Sequence, residues 1–170
     1  MSKKTFQRRI YHSPAEFFRD FRFIMGRRNL IRETMQTLIP ADFRERLMLA
    51  VTEVNGCRYC SYYHAKMALE AGMDNSELQQ FLKGLIPPSI PQDELPAVLY
   101  AQHWAETNAQ PSLTAQQRLV ENYGQQKATA IHIILRMIRM GNLLGNTWDF
   151  LLYKLSFGNL GLRENESSYS

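Results

Sequence analysis

Apolar residues recur along this chain at helical spacing, and no segment alternates with a period of two. Ser13-Pro14-Ala15-Glu16 combines a capping residue, a proline at the first helical position and a glutamate three after the cap. It predicts a helix running to about Met25 and stopped near Gly26. Residues 27–38 carry Leu30, Ile31, Met35 and Leu38 on one side and predict a second helix, ended by Pro40. A third is expected from Asp42 to Gly56. Its stripe of Phe43, Leu47, Ala50, Val51 and Val54, widened by Met48 and Leu49, marks it as largely buried. Cys57 opens a fourth helix that Gly72 closes, and Asp74-Asn75-Ser76-Glu77 starts a fifth that ends near Gly84. Pro87, Pro88 and Pro91 dictate a loop. Residues 92–107 read as a sixth helix, and Thr114-Ala115-Gln116-Gln117 reads as a capping box for a seventh, ending at Gly124. From about Gln125 to Leu155 the pattern is again helical and very apolar. Gly141 and Gly145 share one face there, open to a neighbouring helix and weak enough to kink. The fold class is all-α, with one domain over residues 1–170.

Composition narrows the class. Hydrophobic residues at 45% and charged residues at 21% place the chain among ordinary globular domains, large enough to bury a core without covalent staples. Two cysteines, three apart, are too few and too close for a disulfide framework. They point to redox or metal chemistry in a reducing compartment. No apolar run of signal-peptide length opens the chain, and Arg136, Arg139, Asn142, Asn146, Asp149 and Lys154 interrupt the apolar stretch 128–157. A cytoplasmic protein outside the membrane is expected.

The net charge of +4 is unevenly placed, because residues 1–46 carry 11 Lys/Arg against 5 Asp/Glu. Lys3, Lys4, Arg8 and Arg9 form a basic arm over residues 1–12, expected as a solvated terminus. No nucleic-acid motif accompanies it, and residues 164–170 look disordered.

The chemistry concentrates between Glu45 and His64. On a helix, Cys60 lies about 60° and His64 about 20° around the axis from Cys57, so the three side chains share one face. A Cys-x-x-Cys pair at a helix N-terminus meets unpaired backbone N–H groups that favour the thiolate, and its spacing lets one sulfur attack the other once oxidised. A histidine one turn beyond Cys60 can take its proton. Glu45, from the preceding helix, is a candidate partner in proton relay. Rival readings stand beside these. Two thiolates, an imidazole and a carboxylate form a zinc ligand set, though ligands along one helical face enclose a tetrahedral ion poorly. Asp42-x-x-Glu45 also fits a capping box. Tyr59, Tyr62 and Tyr63 suit either a core or a substrate cleft, while His103 and His132 have no partner pattern.

Glu45, eleven residues, Cys57, two residues, Cys60, three residues, His64 resembles the motif of the carboxymuconolactone decarboxylase superfamily, in its alkylhydroperoxidase-D-like branch. Phe43-Arg44-Glu45-Arg46-Leu47 and Val54-Asn55-Gly56-Cys57-Arg58-Tyr59-Cys60 agree with it, and the match covers about residues 40–73. The resemblance implies an alkylhydroperoxidase-D-like helical domain in homo-oligomers, commonly trimers or hexamers, and a thiol peroxidase without a cofactor. It implies Cys60 as the peroxidatic thiol, Cys57 as the resolving one, and Glu45 with His64 as the proton relay. The reductant it implies is a dithiol, lipoyl-bearing or thioredoxin-like, and the substrate is hydrogen peroxide or an organic hydroperoxide. The helix dipole alone would make Cys57 the more acidic thiol. Tyr59 stands where the characterised peroxidase pattern often has histidine. A non-enzymatic redox sensor or general disulfide-exchange protein is the alternative.

Overall fold

A computed structural model describes residues 5–163. Lys3, Lys4 and the tail 164–170 lie outside the described residues. Seven α-helices occur among them, and no strand: α1 (Pro14–Met25), α2 (Arg28–Glu33), α3 (Ala41–Asn55), α4 (Arg58–Glu70), α5 (Asn75–Leu82), α6 (Leu95–Glu106) and α7 (Leu113–Leu155). A π-helical turn, Thr34–Leu38, follows α2 directly, so the expected second helix changes winding halfway.

α3 is the centre. It packs against α4, α5, α6 and α7, and Phe43, Leu47, Leu49 and Val51 on it are all but sealed from solvent. Each such side chain contributes about 1.5–3 kcal/mol of burial, which explains why this sequence carries apolar residues on more than one face. α6 adds Val98, Ala101 and Trp104 to the same core, and α7 adds Ile131, Ile134 and Leu135.

Most predicted ends hold. Ser13 Oγ accepts the Glu16 N–H at 3.3 Å, and Asp74 Oδ1 accepts the Ser76 N–H at 2.7 Å. Gly124 (φ 72°, ψ 162°) leaves the helical region and divides α7 into 113–123 and 125–155. Four expectations are corrected. The cap of α7 is Ser112, not Thr114: Ser112 has extended backbone and its hydroxyl accepts the Ala115 N–H at 3.2 Å. The sixth helix begins at Leu95 instead of residue 92, because Pro91 C=O closes a turn onto the N–H groups of Glu94 and Leu95. No kink occurs at Gly141 or Gly145, where α7 runs on. Arg8 and Arg9 are not in a solvated arm. Arg8 pairs with the fully buried Asp149 at 2.6 Å, and Arg9 reaches back to the carbonyls of Ala105 and Glu106. Among the described residues no helix is long and apolar enough to cross a membrane.

Candidate active site at the Cys57–Cys60 turn

The turn between α3 and α4 builds the site. Gly56 closes α3 in the left-handed conformation (φ 72°), where a side chain would also press on Arg8 Cγ at 3.1 Å. The chain therefore reverses within one residue. Cys57 becomes the N-cap of α4 rather than its first helical residue, and its sulfur accepts the Cys60 N–H at 3.3 Å. Cys60 then lies one turn along, its thiol 2.6 Å from Cys57 Sγ.

These two contacts set the electrostatics. The Cys60 thiol and the backbone N–H groups of Cys60 and Tyr59 outweigh burial and bring Cys57 down to about 7. Cys60 is pushed the other way, chiefly by its hydrogen bond with the Cys57 sulfur and by desolvation, while a side-chain hydrogen bond from Asn142 opposes the rise. The two thiols therefore titrate as a pair. Access divides the two differently. Cys57 is sealed from solvent, and Cys60 is half-buried.

Cys60 faces a cleft of about 430 Å³. On its wall Glu45 Oε2 meets His64 Nδ1 at 2.7 Å. Glu45 is buried and His64 is partly exposed, so the dyad reaches from the core to the cleft. Arg44 Nε lies 3.5 Å from the other Glu45 oxygen, and Arg44 Nη1 donates to the Met35 carbonyl of the π-turn at 3.1 Å. The capping-box reading of Glu45 fails here. α3 starts at Ala41, Glu45 lies in its second turn, and Asp42 spends its carboxylate on Arg46 at 2.8 Å. Among the described residues no group of three or more His, Cys, Asp and Glu is placed to hold a metal ion.

The remaining lining is apolar: Met35, Met48, Met67, Met137 and Ile138, with Tyr59 and Tyr63 at the rim. Tyr59, Tyr62 and Tyr63 are all exposed, so none is core, and Tyr62 does not line the cleft. His103 is exposed, and His132 is held by Tyr100 Oη at 3.1 Å, away from the thiols.

α7 supplies the floor, which sequence reasoning missed. Gly145 sits against the cysteine turn so closely that a Cβ would fall 2.7 Å from Cys57 Sγ, and Gly141 backs Cys60. Between and beyond them stand three buried polar residues. Asn142 bonds Thr52 Oγ1 and Asn55 Nδ2, both at 3.1 Å. Asn146 Nδ2 donates to the Asn55 carbonyl at 2.8 Å. Asp149 accepts from Tyr59 Oη at 2.8 Å and from Arg58 at 2.7 Å. The signal was the spacing 142, 146, 149 in an otherwise apolar helix, on the face that also holds the two glycines. The four cleft methionines carry no such signal, since methionine at helical spacing is ordinary core.

No match is found among curated proteins or among solved structures. A family model does match, over residues 21–107, which holds α2 to α6 and with them Glu45, Cys57, Cys60 and His64. With that match over just over half its length and an all-helical fold, the chain belongs to the carboxymuconolactone decarboxylase family.

Proposed function

We propose that the protein is a thiol peroxidase that reduces hydrogen peroxide or an organic hydroperoxide through a Cys57–Cys60 disulfide cycle. The observation that carries this reading is the position of Cys60, between a buried thiol 2.6 Å away and a cleft that also contains the Glu45–His64 dyad. Family membership supports it, since the family includes alkylhydroperoxidase-like members.

The chemistry balances as follows. Cys60 gives up its proton through His64, and its thiolate attacks the distal peroxide oxygen. The O–O bond breaks, and the leaving alkoxide takes a proton and departs as the alcohol, or as water from hydrogen peroxide. Cys57 thiolate then attacks the Cys60 sulfenic acid, forming the S–S bond as hydroxide leaves and is protonated to water. An external dithiol, lipoyl-bearing or thioredoxin-like, returns both sulfurs to the reduced state. This order reconciles the acidic Cys57 with its burial: a sealed thiolate is well suited to resolve and poorly placed to meet a peroxide. His64 moves the proton, and Glu45 orients the ring. The cycle suits a reducing compartment such as the cytoplasm.

Peroxide consumption with a dithiol donor tests the proposal. Cys60→Ser should abolish turnover and leave no sulfenate. Cys57→Ser should react once and trap a sulfenate at Cys60. His64→Ala and Glu45→Gln should slow turnover by about a hundred- to ten-thousand-fold while both sulfurs stay reactive. Sulfenate at Cys57 in the Cys60 variant would reverse the roles. One-time oxidation without turnover would favour the second reading, a redox sensor or disulfide-exchange protein, which Tyr59, standing where the peroxidase pattern often has histidine, also favours.

A second copy of the chain is the other proposed partner. Leu144, Trp148, Leu151 and Leu155 form one exposed apolar stripe on α7, which suits burial between subunits in a trimer or hexamer. Light scattering that returns a 19.8 kDa monomer would refute this.

A further inference from the structure

α7 has a second face. Residues 136, 139 and 143 lie about 170° around its axis from residues 137, 138 and 141, which line the thiol cleft. On that far side a separate cavity of about 530 Å³ opens between the N-terminal segment, α1, the turn before α7 and α7 itself. Four arginines line it, Arg9, Arg19, Arg136 and Arg139, against two carboxylates, Glu16 and Asp20.

The carboxylates are already engaged. Asp20 Oδ2 accepts from Arg139 at 3.0 Å and from Tyr11 Oη at 2.9 Å, and Glu16 Oε2 accepts the His12 N–H at 3.0 Å. Among the four arginines Asp20 hydrogen-bonds Arg139. Arg9 donates to the carbonyls of Ala105 and Glu106 and to Asn55 Oδ1, and the Glu106 carboxylate lies near enough to attract it. Arg136 lies over the Phe23 ring at 4.5 Å, and among the described residues no acceptor hydrogen-bonds the guanidinium of Arg136 or Arg19. Burial and Arg139 hold Arg9 below its ordinary value against the pull of Glu106. Burial does the same to Arg136, and Arg139, Arg27 and Arg19 add to it against the pull of Asp20. The cavity is a place where positive charges crowd each other.

We infer that this cavity is a binding site for a small phosphate-bearing molecule, a monoester or diphosphate, seated between Arg9, Arg19, Arg136 and Arg139. Four cations less two carboxylates leave an excess of two, which a dianionic phosphate group neutralises. Guanidinium forks match phosphate oxygens two at a time. The volume lies within the range of small-ligand sites, about 300–1,000 Å³, so there is room for the body of a metabolite beyond the phosphate. Asn108, whose Oδ1 accepts from Arg139 at 3.2 Å, can offer it the amide N–H.

Calorimetric titration of the full chain with inorganic phosphate, pyrophosphate and citrate, at constant ionic strength, tests this. Pyrophosphate and phosphate should bind saturably at one site per chain, and citrate should bind at least ten-fold more weakly than pyrophosphate. Arg136→Gln and Arg19→Gln should each weaken pyrophosphate binding by roughly ten-fold, the scale of losing a charge-assisted hydrogen bond. Both should leave the thiol titration of the cysteine pair unchanged. Heat that grows linearly with every anion, or binding that both variants leave intact, would overturn the site. Citrate as tight as pyrophosphate would overturn its phosphate class. Arg19 is exposed, so its variant decides the question even if Arg136→Gln does not fold.

Discussion

Two buried charge clusters flank α3, and they are built as opposites. At one end Arg46 sits among three carboxylates, Glu77 at 2.6 Å, Asp42 at 2.8 Å and Glu94 at 3.0 Å. At the other, Asp149 sits among two arginines and a phenol, Arg8, Arg58 and Tyr59. The first joins α3 to α5 and to the turn before α6, and touches no group of the thiol site. The second joins α7 to the N-terminal segment and to the two residues between the cysteines. The same type of bond is a staple in one place and a positioning device in the other. Which it is depends on what the tethered element carries. α5 carries core leucine and phenylalanine, and the start of α4 carries the thiols.

The largest effect is expected where charge is left uncompensated. Arg46→Met should cost about 3–5 kcal/mol in chemical denaturation, since Glu77 and Glu94 lose their partner in the interior. Its thiol titration should stay as it was. A shifted titration would break the distinction between the two clusters.

Asp149→Asn should cost roughly 3 kcal/mol, the upper range for hydrogen bonds to a charged group. It should also move the thiols. Asp149 opposes ionisation of Cys57, so its removal should lower the Cys57 midpoint below about 7. Thiolate absorbance against pH measures this. An unchanged midpoint would reduce Asp149 to a staple like Arg46.

Acidity of Cys57 also has a sign for stability. In the folded protein it ionises at about 7 against an ordinary 9.0. Between those values the unfolded chain holds the extra proton, so the reduced protein should gain stability as pH rises through that window. The gain should vanish as pH falls through 7. Comparison of denaturation midpoints for the parent and Cys57→Ser, on both sides of the window, checks it. A difference independent of pH would contradict it.

Smaller effects separate the two glycines. Gly145→Ala forces a methyl to 2.7 Å from Cys57 Sγ and 3.3 Å from Tyr59, so α4 must back away, at about 1–3 kcal/mol. Gly141→Ala meets only Cys60 Sγ, at 4.0 Å, and should stabilise the helix by up to about 1 kcal/mol. Equal losses at both positions would mean that α7 tolerates no side chain on this face at all.

Much of this was legible along the chain. Helix periodicity and punctuation are local properties, and so the helices between Ser13 and Gly124 appear near where the pattern sets them. The thiol pair and His64 share a face because three and seven residues are nearly whole turns. Their meeting with Glu45 is different: it needs the reversal at Gly56, and the motif spacing pointed to it only through resemblance. Where Ser112 outranked Thr114 as a cap, two equally capable hydroxyls competed, and backbone conformation chose.

What the sequence by itself determined was therefore the all-α class, the helix set and one face shared by the two thiols and His64. Only the tertiary structure decided which thiol is sealed and which meets the cleft, because burial of Cys57 comes from α7, about ninety residues away in the chain. It also decided that Arg8 and Arg9 turn inward, since a buried carboxylate at Asp149 and the carbonyls at the end of α6 are acceptors no local pattern can reveal. Local periodicity fixes what a segment becomes, but charge and access at a site are sums over everything packed around it.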